Sequence, residues 1–306
     1  MKLLQFASKG VRESASCIVV QKIDNECFCS HNHYDYRMLF VKRHSKMKSW
    51  PGTTTFPGGV IDKDDLHGIS NFSQISELLQ FGKEKISYTE QVYRQTALRE
   101  LSEETDFPKT DNINHLIPWS IWQTPLSFKK RFNAIFYLMF VDSKNFNLNP
   151  QEGEIESVHW FSPLEVLDDV SISLAFPQLN DISKFCHFKT YNELQKFANY
   201  RYKNFRTIQC MPVIMKFSDG VCGILSQDSF YIDALSMQLK DTSKELEIDN
   251  TINDHNSKQQ FLHRSVLTKT GVSYVASNIG TLKDGHRLPI TACSAMMTYK
   301  NEIIDE

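Results

Sequence analysis

Three glutamates within one short segment are the residues of this chain best suited to metal-dependent chemistry. Glu100, Glu103 and Glu104 are spaced i, i+3 and i+4, which on a helix puts three carboxylates on one face. On a solvated helix their repulsion costs only about 0.2–0.5 kcal/mol per pair, so an acidic outer surface is the alternative interpretation. Carboxylate oxygens are also the ligands that Mg²⁺ and Mn²⁺ prefer, and a bound cation would relieve the repulsion.

Two neighbouring features favour the metal-site interpretation. The β-prone run Thr53–Phe56 leads into Pro57, Gly58 and Gly59, which predicts a strand that stops where two glycines permit a turn closed to other residues. An exposed glycine carbonyl there would be a further oxygen ligand. Arg99 directly precedes the first glutamate, where it can orient a neighbouring carboxylate; the alternative is a surface ion pair of little energetic worth.

Hydrophobic periodicity predicts the elements that position these residues. Residues 90–104 have a helical period with four apolar residues on one stripe. The stripe consists of Val92, Ala97, Leu98 and Leu101. Strands are predicted at 14–20, 38–42, 117–123, 133–141, 155–161, 212–217, 221–225 and 271–279. Short helices are predicted at 75–79, 164–169 and 191–202, with a loop near Pro177 between the last two.

Length and composition indicate one globular catalytic core with elaborations. The chain has 306 residues, 41% hydrophobic and 23% charged, and a formal net charge of -2, so nothing indicates binding to nucleic acid or an anionic membrane. The longest apolar run, residues 134–141, is too short to span a bilayer. Seven scattered cysteines without paired CxxC motifs indicate reduced thiols in an intracellular protein. Residues 241–258 are polar and predict a mobile connection to a C-terminal appendage.

The glycine pair and the glutamate segment together resemble the Nudix box, GX5EX7REUXEEXGU, where U is apolar. The segment Ala97–Glu104 matches its second half closely. Three departures accompany the match: about 26 additional residues separate Gly59 from the helix, Gln91 stands where a glutamate is expected with Glu90 beside it, and Asp106 replaces the late glycine. Aspartate tolerates the left-handed conformation better than most residues, so the last change is mild.

An interrupted box of this kind is similar to the coenzyme A diphosphatase branch of the Nudix family. The likeness extends outside the box over most of the chain. It includes 39–43, 119–125, Arg131 with Phe132, His159 with Trp160, Ser162 with Pro163, 184–186, 211–213, Asp219 with Gly220 and, faintly, 260–263.

The resemblance implies an α/β protein with the Nudix fold, a mixed β-sheet sandwiched between α-helices. It implies a Nudix domain at 10–235, with the insertion at 62–88 and a helical segment at 163–206, followed by a C-terminal extension at 236–306. The implied metal ligands are Glu100, Glu103, Glu104 and Gly59, and the cofactor is Mg²⁺ or Mn²⁺. The implied catalytic residues are Glu100, Glu154 and Arg99, and the implied substrate-binding residues are Arg43, Arg131 and Gly58.

Several residue roles stay open at this stage. Glu154 lies six residues before Trp160 and matches a distant glutamate of the family best, with Glu152 and Glu156 as close rivals; the alternative is a solvated loop carboxylate. Either Glu154 or Glu100 is expected to be the base. The aromatic residues Trp50 and Trp122 are candidates for stacking on adenine, although aromatics in a sheet protein are more often part of the core.

By resemblance, the substrate is coenzyme A or an acyl-coenzyme A, cut at its diphosphate to 3′,5′-ADP and a phosphopantetheine. Another nucleoside diphosphate derivative, such as an ADP-sugar or a dinucleotide, is the first alternative. The second is a former enzyme that only binds nucleotides, suggested by Gln91 and Asp106. Relatives in this branch are peroxisomal or mitochondrial, but the sequence ends Ile303–Glu306, without a peroxisomal tripeptide. The oligomeric state is not predicted.

Overall fold

The protein is described here by a computed structural model that covers residues 10–23, 34–66, 88–110, 112–142 and 145–288. The predicted short helix at 75–79, most of the insertion and the C-terminal tail lie outside the described residues. No helix in the described part of the chain is long and apolar enough to cross a lipid bilayer.

A mixed sheet of eight strands forms the centre of the first part of the described chain. Its strands are β1 (Val11–Lys22), β2 (Tyr36–Arg43), β3 (Thr54–Thr55), β4 (Gly58–Val60), β5 (Leu116–Gln123), β6 (Arg131–Val141), β7 (Ile155–Phe161) and β8 (Gln209–Cys210). The order is β3-β2-β1-β6-β5-β8, with β4 also paired to β1 and β7 to β2. The long β1 and β6 run parallel, whereas β2 and β4 are antiparallel to β1. This mixed sheet confirms the predicted fold class.

Helices cover both faces of this sheet. Helix α1 (Tyr88–Thr105) lies on one face, and the apolar stripe predicted for it is buried against β1 and β6. The other face is covered by α2 (Pro163–Asp168), α3 (Phe176–Phe185) and α4 (Tyr191–Asn204). The loop predicted near Pro177 is wrong, because Pro177 lies in the first turn of α3. A proline is tolerated there, since the main-chain N–H groups of the first turn have no intrahelical partner.

A second, five-stranded sheet contains the C-terminal part of the described chain. Its strands are β9 (Val213–Phe217), β10 (Gly220–Ile224), β11 (Leu246–Glu247), β12 (His263–Thr268) and β13 (Ser273–Ser277), in the order β11-β9-β10-β12-β13. The predicted hairpin around Asp219 is confirmed as the β9–β10 turn. Because β10 pairs with β12, this sheet crosses the domain boundary predicted at residue 235.

The predicted mobile connection over 241–258 is wrong, since this segment contains packed secondary structure. Strand β11 pairs with β9, and α6 (Ile252–Asn256), which follows α5 (Tyr231–Gln238), buries Ile252 in the core of the second sheet. The buried Arg264 donates to the side-chain Oδ1 of Asn256 and to Nδ1 of His255, and it is ion-paired with Asp228. The polar residues that suggested a loop are therefore partners of a buried arginine.

Two buried histidines make stability depend on pH. His263 in β12 contacts the carbonyl of Ser226, and His286 contacts the carbonyl of Trp119. Burial lowers the pKa of His263 from 6.5 to about 4 and that of His286 well below its usual value. Because both folded pKa values are depressed, the neutral rings contribute stability that is complete above pH 6.5 and is lost as the pH falls toward 4.

We therefore expect the free energy of unfolding to fall between pH 6.5 and 4, by on the order of 3 kcal/mol from His263 alone. Urea unfolding followed at several pH values measures this loss. In His263→Asn the slope in this pH range should be smaller, whereas the exposed control His115→Asn should keep it. An unchanged slope in His263→Asn would contradict the assignment.

Candidate metal and diphosphate site

Helix α1 carries the three glutamates toward strand β4. Glu104 is buried, Glu100 is partly buried and Glu103 is exposed, so the three carboxylates occupy different depths on the predicted common face. The helix ends at Thr105, and Asp106 follows with φ +55°. The expectation that aspartate can take the left-handed conformation in place of the box glycine is confirmed at this position.

The two glycines of the box lie within strand β4, not in a turn. Gly58 and Gly59 pair with Ser16 and Ala15 of β1, and neither has a positive φ. The predicted turn is therefore wrong, and the requirement for glycine is one of space. A Cβ on Gly58 would lie 2.2 Å from the Ser16 hydroxyl, and one on Gly59 would lie 2.3 Å from the Glu100 carboxyl carbon.

This close approach brings two glutamates against the glycine strand. The main-chain N–H of Gly58 donates to Glu104 Oε2 at 2.9 Å. The Glu100 carboxylate fills the space where a side chain of residue 59 would be. Strand β4 and helix α1 thus assemble the two halves of the box, which are far apart in sequence, into one site.

Arg99 holds the carboxylates of this site in place. It donates to Glu100 at 2.9 Å, to Glu103 at 2.8 Å and to the carbonyl of Val60 at 3.2 Å. Arg99 also forms a bidentate ion pair with Asp65, in which Nε donates to Oδ1 at 2.9 Å and Nη2 donates to Oδ2 at 2.8 Å. The contact expected between Arg99 and a neighbouring carboxylate is present, and it is more extensive than a single surface ion pair.

Asp65 is a site residue whose role the sequence did not reveal. Its carboxylate also accepts from the hydroxyl of Thr96 and the N–H of Asp62. Burial is the largest single effect and opposes its charge, but the hydrogen bonds from Arg99, Asp62 and Thr96, with the charge of Arg99, together outweigh burial and lower the pKa of Asp65. In turn, the hydrogen bond to Asp65 raises the pKa of Arg99. The only sequence signal was the acidic run that includes Asp62, Asp64 and Asp65.

The electrostatics of Glu104 and Glu100 favour a bound cation. The pKa of Glu104 is raised to about 8, mainly by burial and also by the nearby charges of Glu100 and Glu154, against the opposing effects of the Gly58 N–H and the Arg43 charge. Burial also raises the pKa of Glu100. Burial therefore destabilises the charged form of each carboxylate, and a bound cation would offset this desolvation cost.

The donor set at this site fits a hard divalent cation. Carboxylate oxygens of Glu100, Glu103 and Glu104, with the Gly59 carbonyl nearby, are the ligand types of Mg²⁺ and Mn²⁺. In the described residues no three carboxylate, imidazole or thiol groups converge as in an assembled metal site. Glu100 and Glu103 face Arg99 instead, so metal binding requires their carboxylates to turn from the guanidinium.

A loop docked on the end of α1 brings Glu154 to the site. The N–H of Gln151 donates to the carbonyl of Glu104, and the carbonyl of Glu154 accepts from the N–H of His44. The carboxylate of Glu154 is exposed and close enough to raise the pKa of Glu104. Its rival Glu156 is ion-paired with Lys42 at 2.8 Å, which lowers its pKa. The structure thus favours Glu154 over Glu156.

Glu90 is not available as a substitute for the glutamate missing at Gln91. Its buried carboxylate is ion-paired with Arg94 at 2.6 Å, and Arg94 also donates to the carbonyl of Ile113 at 2.7 Å. This network ties α1 to the start of β5. Gln91 therefore leaves the site without an auxiliary carboxylate from the first turns of the helix.

The two arginines predicted to bind phosphate differ in their surroundings. Arg43 is partly buried at the end of β2 and donates to the carbonyl of Ser49. Its positive charge is close enough to Glu104 to lower the pKa of that carboxyl group. Arg131 is buried, donates to the carbonyl of Thr124 and contacts the sulfur of Met211. Arg43 therefore lies at the candidate site, whereas the contacts of Arg131 are structural.

The two tryptophans proposed to stack on adenine also differ in their burial. Trp122 is buried and donates to Ser120 and Asp181, so it is part of the core, as the alternative interpretation has it. Trp50 is 43% exposed, has φ +51° and stacks on Phe128 with ring centroids 5.6 Å apart. A non-glycine residue with positive φ is strained, and such strain is concentrated at functional sites.

Comparison with known proteins agrees with this architecture. A family model described as the NUDIX domain matches residues 70–178, which include α1 and Glu154. The chain is 27% identical over 145 residues to nudix hydrolase 7 of Caenorhabditis elegans, an alignment that covers 44% of this chain and 49% of the relative. The chain therefore spans about half the length of this relative.

Solved structures with a similar fold include a NUDIX hydrolase from Alicyclobacillus acidocaldarius and the NUDIX domain of Shewanella oneidensis NrtR complexed with ADP ribose. The first has a TM-score of 0.47 and 18% identity, covering 62% of this chain and 97% of that structure. The second has a TM-score of 0.37 and 17% identity, covering 58% and 87%.

The sheet with helices on both faces, the glutamate helix against the glycine strand and the family match define a Nudix fold. The match to the NUDIX domain model covers residues 70–178, the part of the chain that contains the glutamate helix.

Proposed function

We propose that this protein is a coenzyme A diphosphatase, which hydrolyses coenzyme A or an acyl-coenzyme A to 3′,5′-ADP and the corresponding 4′-phosphopantetheine. The observation that carries hydrolysis of a diphosphate is the contact of Glu100 and Glu104 with the glycine strand β4. The choice of coenzyme A rests on the sequence likeness outside the box, from 39–43 to 211–213.

A diphosphate resists water because negative charge accumulates on its oxygens as the new P–O bond forms. A divalent cation held by Glu100, Glu103 and Glu104, when bound, neutralises this charge and lowers the pKa of water. Arg43 lies on the same side of the site and attracts the anionic substrate. While the substrate is absent, ion pairs with Arg99 hold the carboxylates of Glu100 and Glu103 in place.

Glu154 is the residue we assign as the base that accepts a proton from the attacking water. Its carboxylate is exposed, its main chain is fixed by His44, and it lies beside Glu104. Glu100 is the alternative, but its carboxylate is already engaged by Arg99 at 2.9 Å. A general base must first lie within hydrogen-bonding distance of the water whose proton it accepts.

We expect Glu154→Gln to lower kcat by about 100-fold or more, because loss of a general base has an effect of about 10²–10⁴-fold. The matched control is Glu156→Gln, two residues along the same segment, which breaks only the exposed ion pair with Lys42 and should leave kcat within a factor of about two. Steady-state kinetics under saturating Mg²⁺ measures both variants. Equal losses in the two variants would remove Glu154 from the mechanism.

Product analysis tests the substrate assignment. The purified chain is incubated with Mg²⁺ or Mn²⁺ and, separately, coenzyme A, ADP-ribose and a diadenosine polyphosphate, and the products are separated by ion-exchange chromatography. We expect 3′,5′-ADP from coenzyme A at the highest kcat/KM. Release of AMP from ADP-ribose without 3′,5′-ADP from coenzyme A would instead establish a hydrolase of another nucleoside diphosphate derivative. No turnover of any of the three would indicate a nucleotide-binding protein without activity.

A further inference from the structure

A cavity of about 450 Å³ lies between the outer edge of the first sheet and the C-terminal sheet. Its walls come from the end of β5, helix α3, strand β8, the loop after β10, helix α5 and the start of β12. None of the glutamates or glycines of the NUDIX site lines it. A cavity of this size is within the range of small-molecule sites, which are concave, mostly apolar and carry a few oriented polar groups.

Two of the buried charges beside this cavity are compensated by ion pairs. Lys184 is ion-paired with Asp181 at 2.7 Å, and Asp228 is ion-paired with Arg264 at 2.7 Å. His263 donates or accepts toward the carbonyl of Ser226, and its depressed pKa keeps the ring neutral at physiological pH. Asp284 in the same wall is also buried, and His286, the ring 3.8 Å from its carboxylate, is neutral because burial lowers its pKa, so the buried part of the wall disfavours an anionic ligand.

One buried polar atom in the cavity wall has no protein partner. Asn180 in α3 is 1% exposed and places its Nδ2 at 3.4 Å from His263 Nε2. Its Oδ1 has no hydrogen-bond partner among the described residues. A buried carbonyl oxygen without a donor costs about 1–3 kcal/mol, so this atom is suited to a ligand that brings an N–H or O–H group.

The remaining lining is aromatic and aliphatic. Trp122 and Tyr231 contribute rings, and Ile208 and Ile232, which are 45% and 66% exposed, lie at the cavity although they are large apolar residues. Gln227 in the wall has φ +77°, and its side-chain Oε1 accepts from the N–H of Lys283, so a residue with a strained main chain joins two segments of the lining. Rings and branched side chains of this kind pack on the faces of a planar ligand.

We propose that this cavity is a second ligand site, distinct from the NUDIX site, and that it binds a neutral aminopurine nucleoside. The base lies among Trp122, Tyr231 and Ile232, and its exocyclic amine donates to Asn180 Oδ1. An asparagine carbonyl recognises the amine of adenine in the same way in protein–nucleic acid contacts. The charge balance of the wall selects a nucleoside over a nucleotide.

Calorimetric titration of the full chain in EDTA with adenosine, and with purine riboside as the matched ligand that lacks the amine, tests this site. We expect adenosine to bind and purine riboside to bind at least about tenfold more weakly, because Asn180 Oδ1 then stays unpaired. Equal affinities for the two nucleosides, or no binding of adenosine at about 5 mM, would overturn the proposal.

Variants locate the bound nucleoside. Asn180→Leu should reduce adenosine affinity to that of purine riboside, and Ile232→Arg should block the cavity from an exposed position that tolerates a charged residue without unfolding. Val170→Arg, at an apolar residue that is 88% exposed and does not line the cavity, is the control and should bind as the parent chain does. Adenosine binding that survives Ile232→Arg but is lost in Trp50→Ala would place the nucleoside at the NUDIX site and refute a second site.

Discussion

Replacing Glu103 with glutamine is expected to abolish metal-dependent hydrolysis while the chain remains folded. The substitution keeps the shape of the side chain and removes the charge that a divalent cation would require. We expect kcat to fall by about 10³-fold or more, in line with the loss of electrostatic stabilisation in other active sites. Glu103 is exposed, and its ion pair with Arg99 contributes at most about 1 kcal/mol to stability.

The matched control for this prediction is Glu245→Gln, which breaks an ion pair of similar length with Lys216 in the C-terminal sheet. Both variants should unfold thermally within a few degrees of the parent chain. Only Glu103→Gln should lose turnover, and titration with Mn²⁺ followed by electron paramagnetic resonance should show weaker metal binding in that variant alone. Turnover unchanged in Glu103→Gln would refute its role as a metal ligand.

The two glycines of strand β4 should respond to alanine in opposite ways. At Gly59 the three atoms nearest to the added Cβ all belong to the Glu100 side chain, the nearest at 2.3 Å, and this carboxylate can turn away. We therefore expect Gly59→Ala to fold with near-normal stability but to lose about 100-fold in kcat, because a displacement of about 1 Å at a catalytic group has an effect of that size.

At Gly58 the added Cβ meets the main chain of β1, with the Ala15 carbonyl oxygen and Ser16 Cα both at 2.6 Å. Strand β1 is paired on both sides and cannot move aside. Gly58→Ala should therefore lower the free energy of unfolding by about 3 kcal/mol or more. Urea unfolding and kinetics on both variants test the contrast, and a stable, active Gly59→Ala would show that the Glu100 position is unimportant.

Local patterns in the sequence were sufficient for the elements of the fold. The helical period of the apolar stripe predicted α1, and alternating or continuous apolar runs predicted β1, β2, β5, β6 and β7. These predictions succeed because apolar residues recur along a buried face with the period of the helix or strand that carries it. The same is true of the β9–β10 hairpin, whose turn contains Asp219 and Gly220. The helix and the resemblance also identified the three glutamates as neighbours.

Interactions between distant segments were not predictable from these patterns. The bond between Arg99 and Asp65 joins residues 34 positions apart, and no local spacing indicates it. The glycines were assigned to a turn because glycine most often supplies conformational freedom, whereas here it supplies space for Glu100. Polar residues at 252–256 suggested a loop, because their partner, the buried Arg264, lies in another strand.

The clamp formed by Arg99, Asp65 and Val60 has a consequence for the residues inserted into the box. It fixes the chain at Val60–Leu66 to helix α1 on both sides of the insertion, so the two anchor points are held by the folded core. The entropy of closing a loop between fixed ends grows only logarithmically with its length, by about 0.6 kcal/mol for each doubling. The contacts that set the glutamate geometry therefore lie in the described residues on either side of the insertion, and a longer connection between these two anchors adds little loop-closure entropy.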